Sequence, residues 1–175
     1  MDIMNRELWL LRHAKAKRDN LLNDFDRPLK KRGKQAAIEL GKWLQAQHLI
    51  PDWVVSSPAK RAMATATRVL EHTDALDITI ISDKRMYAEG LDSLKAVLAD
   101  CPANAQHVLL VGHNPELEDL LVYLVGSTNL PDRDKLLATA TLVKIAMPDD
   151  WSSIEPNSGQ LLAIIDKDSL LSTDN

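Results

Sequence analysis

Leu8-Trp9-Leu10-Leu11-Arg12-His13 is the stretch that decides the fold. An apolar run this short and unbroken reads as a strand buried on both faces, as in the middle of a parallel sheet. Residues 20–27 are polar and read as a loop. Pro28 then stands where a first helical turn accepts proline, and a helix is expected to about residue 47. Ala36, Leu40, Trp43 and Leu44 fall on one face of it. Trp53-Val54-Val55-Ser56 is a second strand, followed by Ser57-Pro58 as N-cap and first helical residue. Ala62, Ala66, Val69 and Leu70 form that helix's apolar face. Ile78 to Ile81, rich in β-branched residues, is a third strand. A loop at residues 87–90 leads to a helix with Leu91, Leu94 and Leu98 inward.

Val108-Leu109-Leu110-Val111 is a fourth strand, and Asn114-Pro115 repeats the cap-plus-proline signal. Leu117, Leu120, Leu121, Leu124 and Val125 follow at helical spacing. Residues 139–147 and 160–165 read as two late strands, and the polar tail from about residue 167 is expected to fray. Strands alternating with helices predict a three-layer α/β sandwich with a mostly parallel sheet. With no repeat and no linker, residues 1–175 are expected to form a single domain.

The 175 residues are 45% hydrophobic and 26% charged, which excludes a disordered chain, a collagen-like repeat and a disulfide-stapled miniprotein. The net charge of −4 gives no global field for nucleic acid or anionic lipid. Cys101 is the only cysteine, which fits a reducing compartment. The opening residues lack the apolar core of a signal peptide, and no apolar run is long enough for a bilayer. A soluble, cytoplasmic protein is expected, with neither a nucleic acid nor a membrane as partner.

Arg12-His13, Ser57 with Arg61 one turn later, and Gly112-His113 all stand at carboxyl ends of expected strands. Ligands of open α/β sheets gather there. Arg12, His13, Arg61 and His113 can therefore converge, with the helix starts after Ser57 and Asn114 adding backbone N–H groups. Guanidinium and imidazole groups with helix N-termini describe a phosphoryl site. His48, His72 and His107 show no ligand spacing, so no metal and no cofactor is expected. Lys30-Lys31-Arg32-Gly33-Lys34 reads as the solvated start of a helix, since no aromatic residues interleave. Lys15, Lys17 and Arg18 read equally well as surface charges or as a positive rim drawing an acidic phosphoprotein.

At these residues the chain resembles the histidine phosphatase superfamily. Leu11-Arg12-His13-Ala14 is similar to its Arg-His-Gly signature. Ser57-Pro58 with Arg61 and Thr65 resembles its second phosphate-binding segment, and Gly112-His113-Asn114 its second-histidine segment. Asp26-Arg27-Pro28-Leu29 with Arg32-Gly33, and Gly112-His113-Asn114-Pro115, resemble the SixA-type phosphohistidine phosphatases. The likeness spans roughly residues 8 to 165 and implies a phosphoglycerate-mutase-like fold.

It further implies that His13 is the nucleophile of a metal-independent phosphatase, with Arg12, Arg61 and His113 binding the phosphoryl group. Ala14 departs from the usual glycine and is tolerable if the backbone there needs no positive φ. Glu89 is the candidate general acid, one residue displaced from its usual place, which Ala88 takes. A weak acid disfavours alkoxide leaving groups more than an imidazole. The implied substrate is a phosphohistidine-bearing protein. The alternatives are a small phosphomonoester or phosphoanhydride as substrate, or a non-catalytic phosphate-binding module.

Overall fold

The computed structural model describes residues 5–75 and 77–172. Residues 1–4 and 173–175, on which parts of the leader and tail expectations fall, lie outside them. The elements in chain order are β1 (Arg6–Arg12), α1 (Lys31–Ala46), β2 (Trp53–Ser56), α2 (Lys60–Glu71) and β3 (Ile80–Ser82). Then come α3 (Leu91–Ala99), β4 (His107–Gly112), α4 (Glu116–Val125), β5 (Leu142–Met147), β6 (Gln160–Ile165) and α5 (Lys167–Leu171). The sheet order is β3-β2-β4-β1-β5-β6. β3, β2, β4 and β1 are mutually parallel. β5 runs against both its neighbours, so the sheet is mostly parallel, as expected.

The alternation along β1 explains the layers. Leu8 and Leu10 point into a core with α3 and α4, through Leu94, Leu98, Leu117 and Leu121. Trp9 and Leu11 point the other way, against Ala37 and Leu40 of α1 and Ala62 and Val69 of α2. All four β1 residues are fully buried, each side chain contributing roughly 1.5–3 kcal/mol of apolar transfer. A two-sided strand thus builds the sandwich that its unbroken hydrophobicity predicts.

Several boundaries differ from the sequence reading. Pro28 precedes the helix. Ala16 bridges Leu29, and the Lys17 and Lys30 amides donate to the Pro28 and Lys15 carbonyls at 2.8 Å each, so the chain stays extended until Lys31. Gly33 packs the first turn of α1 onto this pair; a Cβ there would overlap the Lys15 carbonyl oxygen and lie 2.9 Å from its nitrogen. Ala37, not Ala36, is the buried alanine of α1, and Trp43 is half-buried. The helices after Ser57-Pro58 and Asn114-Pro115 begin later than expected, capped at Ala59 and Pro115, and the Asn114–Pro115 bond is cis. The third strand starts at Ile80 and the fifth at Leu142. From residue 167 the chain forms α5 instead of fraying. The Asp166 carboxylate accepts from the Ser169 amide at 2.9 Å, the Ser169 hydroxyl returns the bond, and Arg133 pairs with Asp166 at 3.1 Å.

Candidate active site

Strand register brings the expected residues together. Arg12 pairs with Gly112, so His13 and His113 leave the sheet as neighbours. Ser56 pairs with Val111, so Ser57 leaves beside them. One turn into α2, Arg61 reaches back over this edge, only 4% exposed. Its Nε lies 3.3 Å from His13 Nε2, and its Nη2 3.3 Å from His113 Nδ1. The two imidazoles are tilted with centroids 5.1 Å apart. They open onto a cleft of about 310 Å³ that Arg12 and Arg61 also line.

The hydrogen bonds fix the protonation of both rings. A carbonyl can only accept, so the 2.8 Å contact of His13 Nδ1 with the Ala14 oxygen puts the His13 proton on Nδ1 and leaves Nε2 unprotonated, its lone pair facing the Arg61 Nε–H. Arg61 can only donate to His113 Nδ1, so His113 Nε2 carries the proton and donates to the Ser57 hydroxyl at 2.8 Å. Thr65 ties the frame together, accepting from the Ala14 amide at 3.0 Å and donating to the Arg61 carbonyl at 2.7 Å. Ala14 is buried, with no positive φ, so the residue in the usual glycine place is accommodated. Burial, helped by Arg61, Arg12 and Arg27, pushes the His13 imidazole down to about 4, against the opposing Nδ1–carbonyl bond. Burial and then Arg61 push His113 down to about 3.

Sequence reasoning missed a second group of residues. Asp24 of a 3-10 turn (Asp24–Asp26) accepts from Arg61 Nη2 at 2.9 Å, from the Tyr87 hydroxyl at 2.7 Å and from Arg27 Nη2 at 2.9 Å. The Tyr87 bond, then Arg61, holds its carboxyl well below the usual carboxylate range. Tyr87 stands edge-on to His113 and to Phe25, each at 5.4 Å between centroids. Glu116, the first residue of α4, also lines the cleft. Nothing in periodicity marks these residues; the polarity of residues 20–27 is their only trace. Glu89 is exposed and absent from the cleft lining, whereas Ala88, with φ 55°, lines it. The expectation that Glu89 serves as the acid therefore lacks support in the geometry.

The sequence profile of the histidine phosphatase superfamily (branch 1) matches residues 8–87. That segment holds Arg12, His13 and Arg61. Two solved structures extend the likeness over nearly the whole chain. The protein assigned as phosphohistidine phosphatase SixA in Nakamurella multipartitia is 27% identical, with a TM-score of 0.74, covering 92% of this chain and 95% of that one. The protein so assigned in Agrobacterium tumefaciens is 26% identical, with a TM-score of 0.76, covering 92% and 97%. The chain is similar to the histidine phosphatase superfamily, and within it to these SixA-assigned proteins. A phosphoglycerate mutase from Bacillus anthracis shares the fold alone, at 16% identity and a TM-score of 0.67 over 97% of both chains. The match to the superfamily's profile and the SixA-like neighbours support phosphatase activity. Among the described residues no helix is long and apolar enough to cross a membrane.

The geometry of the site sets a pH expectation. The folded protein keeps His13 neutral down to about pH 4 and His113 to about pH 3, whereas both titrate at ~6.5 in an unfolded chain. Between those values the unfolded state binds protons that the folded state excludes. The stabilising contribution is therefore complete above about pH 6.5 and is lost as the pH falls through the folded values. Nitrogen-15 spectra of the native protein at pH 5 should show both rings neutral, with His13 protonated at Nδ1. A His13 that titrates near the ordinary value would overturn this arrangement.

Proposed function

We propose that the protein is a metal-independent, cytoplasmic phosphatase of protein phosphohistidine, acting through a covalent phosphoryl group on His13. The observation that carries the reading is the His13 imidazole: Nδ1–H donated to a carbonyl, Nε2 unprotonated and facing Arg61 at the cleft. Nε2 attacks phosphorus, the phosphorus–nitrogen bond of the substrate breaks, and the departing imidazole takes a proton from solvent. Water then attacks the phosphoryl group on His13, releasing inorganic phosphate and the free imidazole. Arg12 and Arg61 neutralise the phosphoryl oxygens, and His113 completes the donor set.

The leaving group is argued from the acids at hand. Glu89 is outside the cleft lining, and Asp24 is held ionised by Tyr87 and the arginines, so neither is placed to protonate an alkoxide. An imidazole needs less help. The likeness to proteins assigned as phosphohistidine phosphatases supports the same choice. Glu116 in the cleft lining favours a second reading, a small phosphomonoester protonated by that carboxyl.

Phosphate release from a phosphohistidine-bearing protein, beside a panel of phosphomonoesters and with EDTA throughout, separates the two. The phosphoprotein is expected to lead by roughly 10²-fold in kcat/KM, the contribution of an acid if Glu116 does not serve as one. Preference for esters, abolished by Glu116→Gln, would establish the second reading. Loss of all turnover on EDTA treatment would refute metal independence.

A further inference from the structure

The basic segment beside the cleft has features that neither the fold nor the proposed chemistry requires. Residues 15–34 carry eight Lys and Arg against three Asp, in a chain of net charge −4. Among the described residues no ion pair engages Lys15, Lys17, Arg18, Lys30, Lys31 or Arg32. The strongest charges acting on Lys15 are cations: Arg32, Arg18, Lys30 and Lys135. Among the described residues, Glu39 is the one carboxylate in the groove of about 470 Å³ that Lys15 and Arg32 line with Lys167.

The placement also runs against helix electrostatics. The first turn of α1 has no acidic residue and no side-chain cap, and it begins Lys31-Arg32 directly after Lys30. Cations at a helix N-terminus are unfavourable, since the macrodipole there is already positive. A local arrangement that opposes stability marks a function. The platform is also rigid, because Gly33 seats α1 on Lys15, and the Lys15–Lys17 backbone is bonded to residues 28–30.

This surface continues into the cleft. Lys15 is two residues from His13 along the same chain, and the Arg27 side chain, which lines the cleft, donates to the Lys17 carbonyl at 3.1 Å. The loop between them exposes Leu21, Leu22 and Phe25, Leu21 at 94%. Phe25 rests on Tyr87 and so on the cleft wall. Apolar groups within a charged rim describe a protein contact. A protein delivering a phosphohistidine to His13 must lie over this rim.

We infer that the surface of Lys15, Lys17, Arg18, Lys30, Lys31 and Arg32 docks an acidic face of the phosphohistidine-bearing protein and steers it to His13. This rests on the phosphohistidine reading above and adds the charge of the partner's surface.

The test uses two phosphohistidine-bearing versions of one small carrier protein, one with an acidic surface and one with those carboxylates changed to amides. Free phosphohistidine is the third substrate. In the double variant Lys17→Glu, Lys31→Glu, kcat/KM on the acidic carrier is expected to fall at least about 10-fold at low salt, the gap closing at ~0.5 M salt. Turnover of the amide carrier and of free phosphohistidine should be unchanged. Because a carboxylate in the first turn of α1 would suit the helix dipole, the melting temperature should hold or rise by about 1–3 °C, which separates docking from misfolding. Equal loss on all three substrates, or no loss on the acidic carrier, would overturn the docking role while leaving the phosphohistidine reading intact. A wild type that hydrolyses free phosphohistidine but neither carrier would overturn both. Tighter binding of a DNA duplex or of anionic lipid vesicles than of the acidic carrier would reassign the surface to that partner and likewise refute the inference.

Discussion

His13→Ala is expected to lower kcat on every phosphoryl substrate by about 10⁴-fold or more, the scale on which loss of a covalent nucleophile is felt. The imidazole accounts for the size of the effect. Its Nε2 lone pair is available at neutral pH because burial and the arginines push the ring down to about 4. Arg61 alone does not tell the two imidazoles apart, since it donates to His13 Nε2 and to His113 Nδ1 at 3.3 Å each. The rings differ in tautomer: His113 carries its proton on Nε2, donated to the Ser57 hydroxyl, which leaves only Nδ1, beside the substituted ring carbon, to attack, whereas His13 presents the less hindered Nε2. The Tyr87 hydroxyl donates to Asp24, which raises its pKa and keeps it a neutral phenol. The fold should survive, since the side chain gives up one local bond to Ala14 and a contact with Arg61. The check is rapid acid-free quenching with labelled substrate: wild type should hold label on one histidine, and His13→Ala none. Full activity in the variant, or label on His113, would remove His13 as the nucleophile.

The histidine and arginine positions were legible because they depend on strand ends, and the strands announce themselves. Trp53–Ser56 and the apolar face of α4 appear as the spacing predicts, since burial on both sides of a sheet or on one side of a helix leaves a periodic trace. Once β1, β2 and β4 are adjacent and parallel, Arg12, His13, Ser57 and His113 have nowhere to go but one edge. Helix starts were less legible because capping rules are local and here tertiary bonds compete with them. Ser57 takes a bond from His113 and caps only loosely, at 3.2 Å from the Ala59 amide. Asn114 turns its amide to the Leu137 carbonyl and to Glu118 rather than capping α4. Asp24 and Tyr87 were not legible at all. Their meeting is set by contacts across sixty-three residues of chain, and nothing in either segment alone calls for the other.

Arg61→Lys is the second large effect: a fall in kcat of about 10²–10³-fold, what one preorganised donor to a developing oxyanion contributes. Arg61 is the hub of the cleft. One guanidinium reaches His13 Nε2 and His113 Nδ1 at 3.3 Å each and the Asp24 carbonyl and carboxylate at 2.6 and 2.9 Å. A lysine keeps the charge but has one nitrogen in place of a planar fork, so it cannot hold four partners at fixed angles. On the proposed reading, an incoming phosphoryl group would compete with the Asp24 carboxylate for the same Nη2, exchanging one anion for another. Arg61→Ala carries a further signature. Arg61 lowers the pKa of both histidines and of Asp24, so all three should rise in the variant. Nitrogen-15 titration reads this directly: His13 should move from about 4 toward the ordinary imidazole range, with activity partly restored by added guanidinium. A variant that loses activity while the imidazole titration stays put would mean that Arg61 serves the substrate alone and leaves the nucleophile untouched.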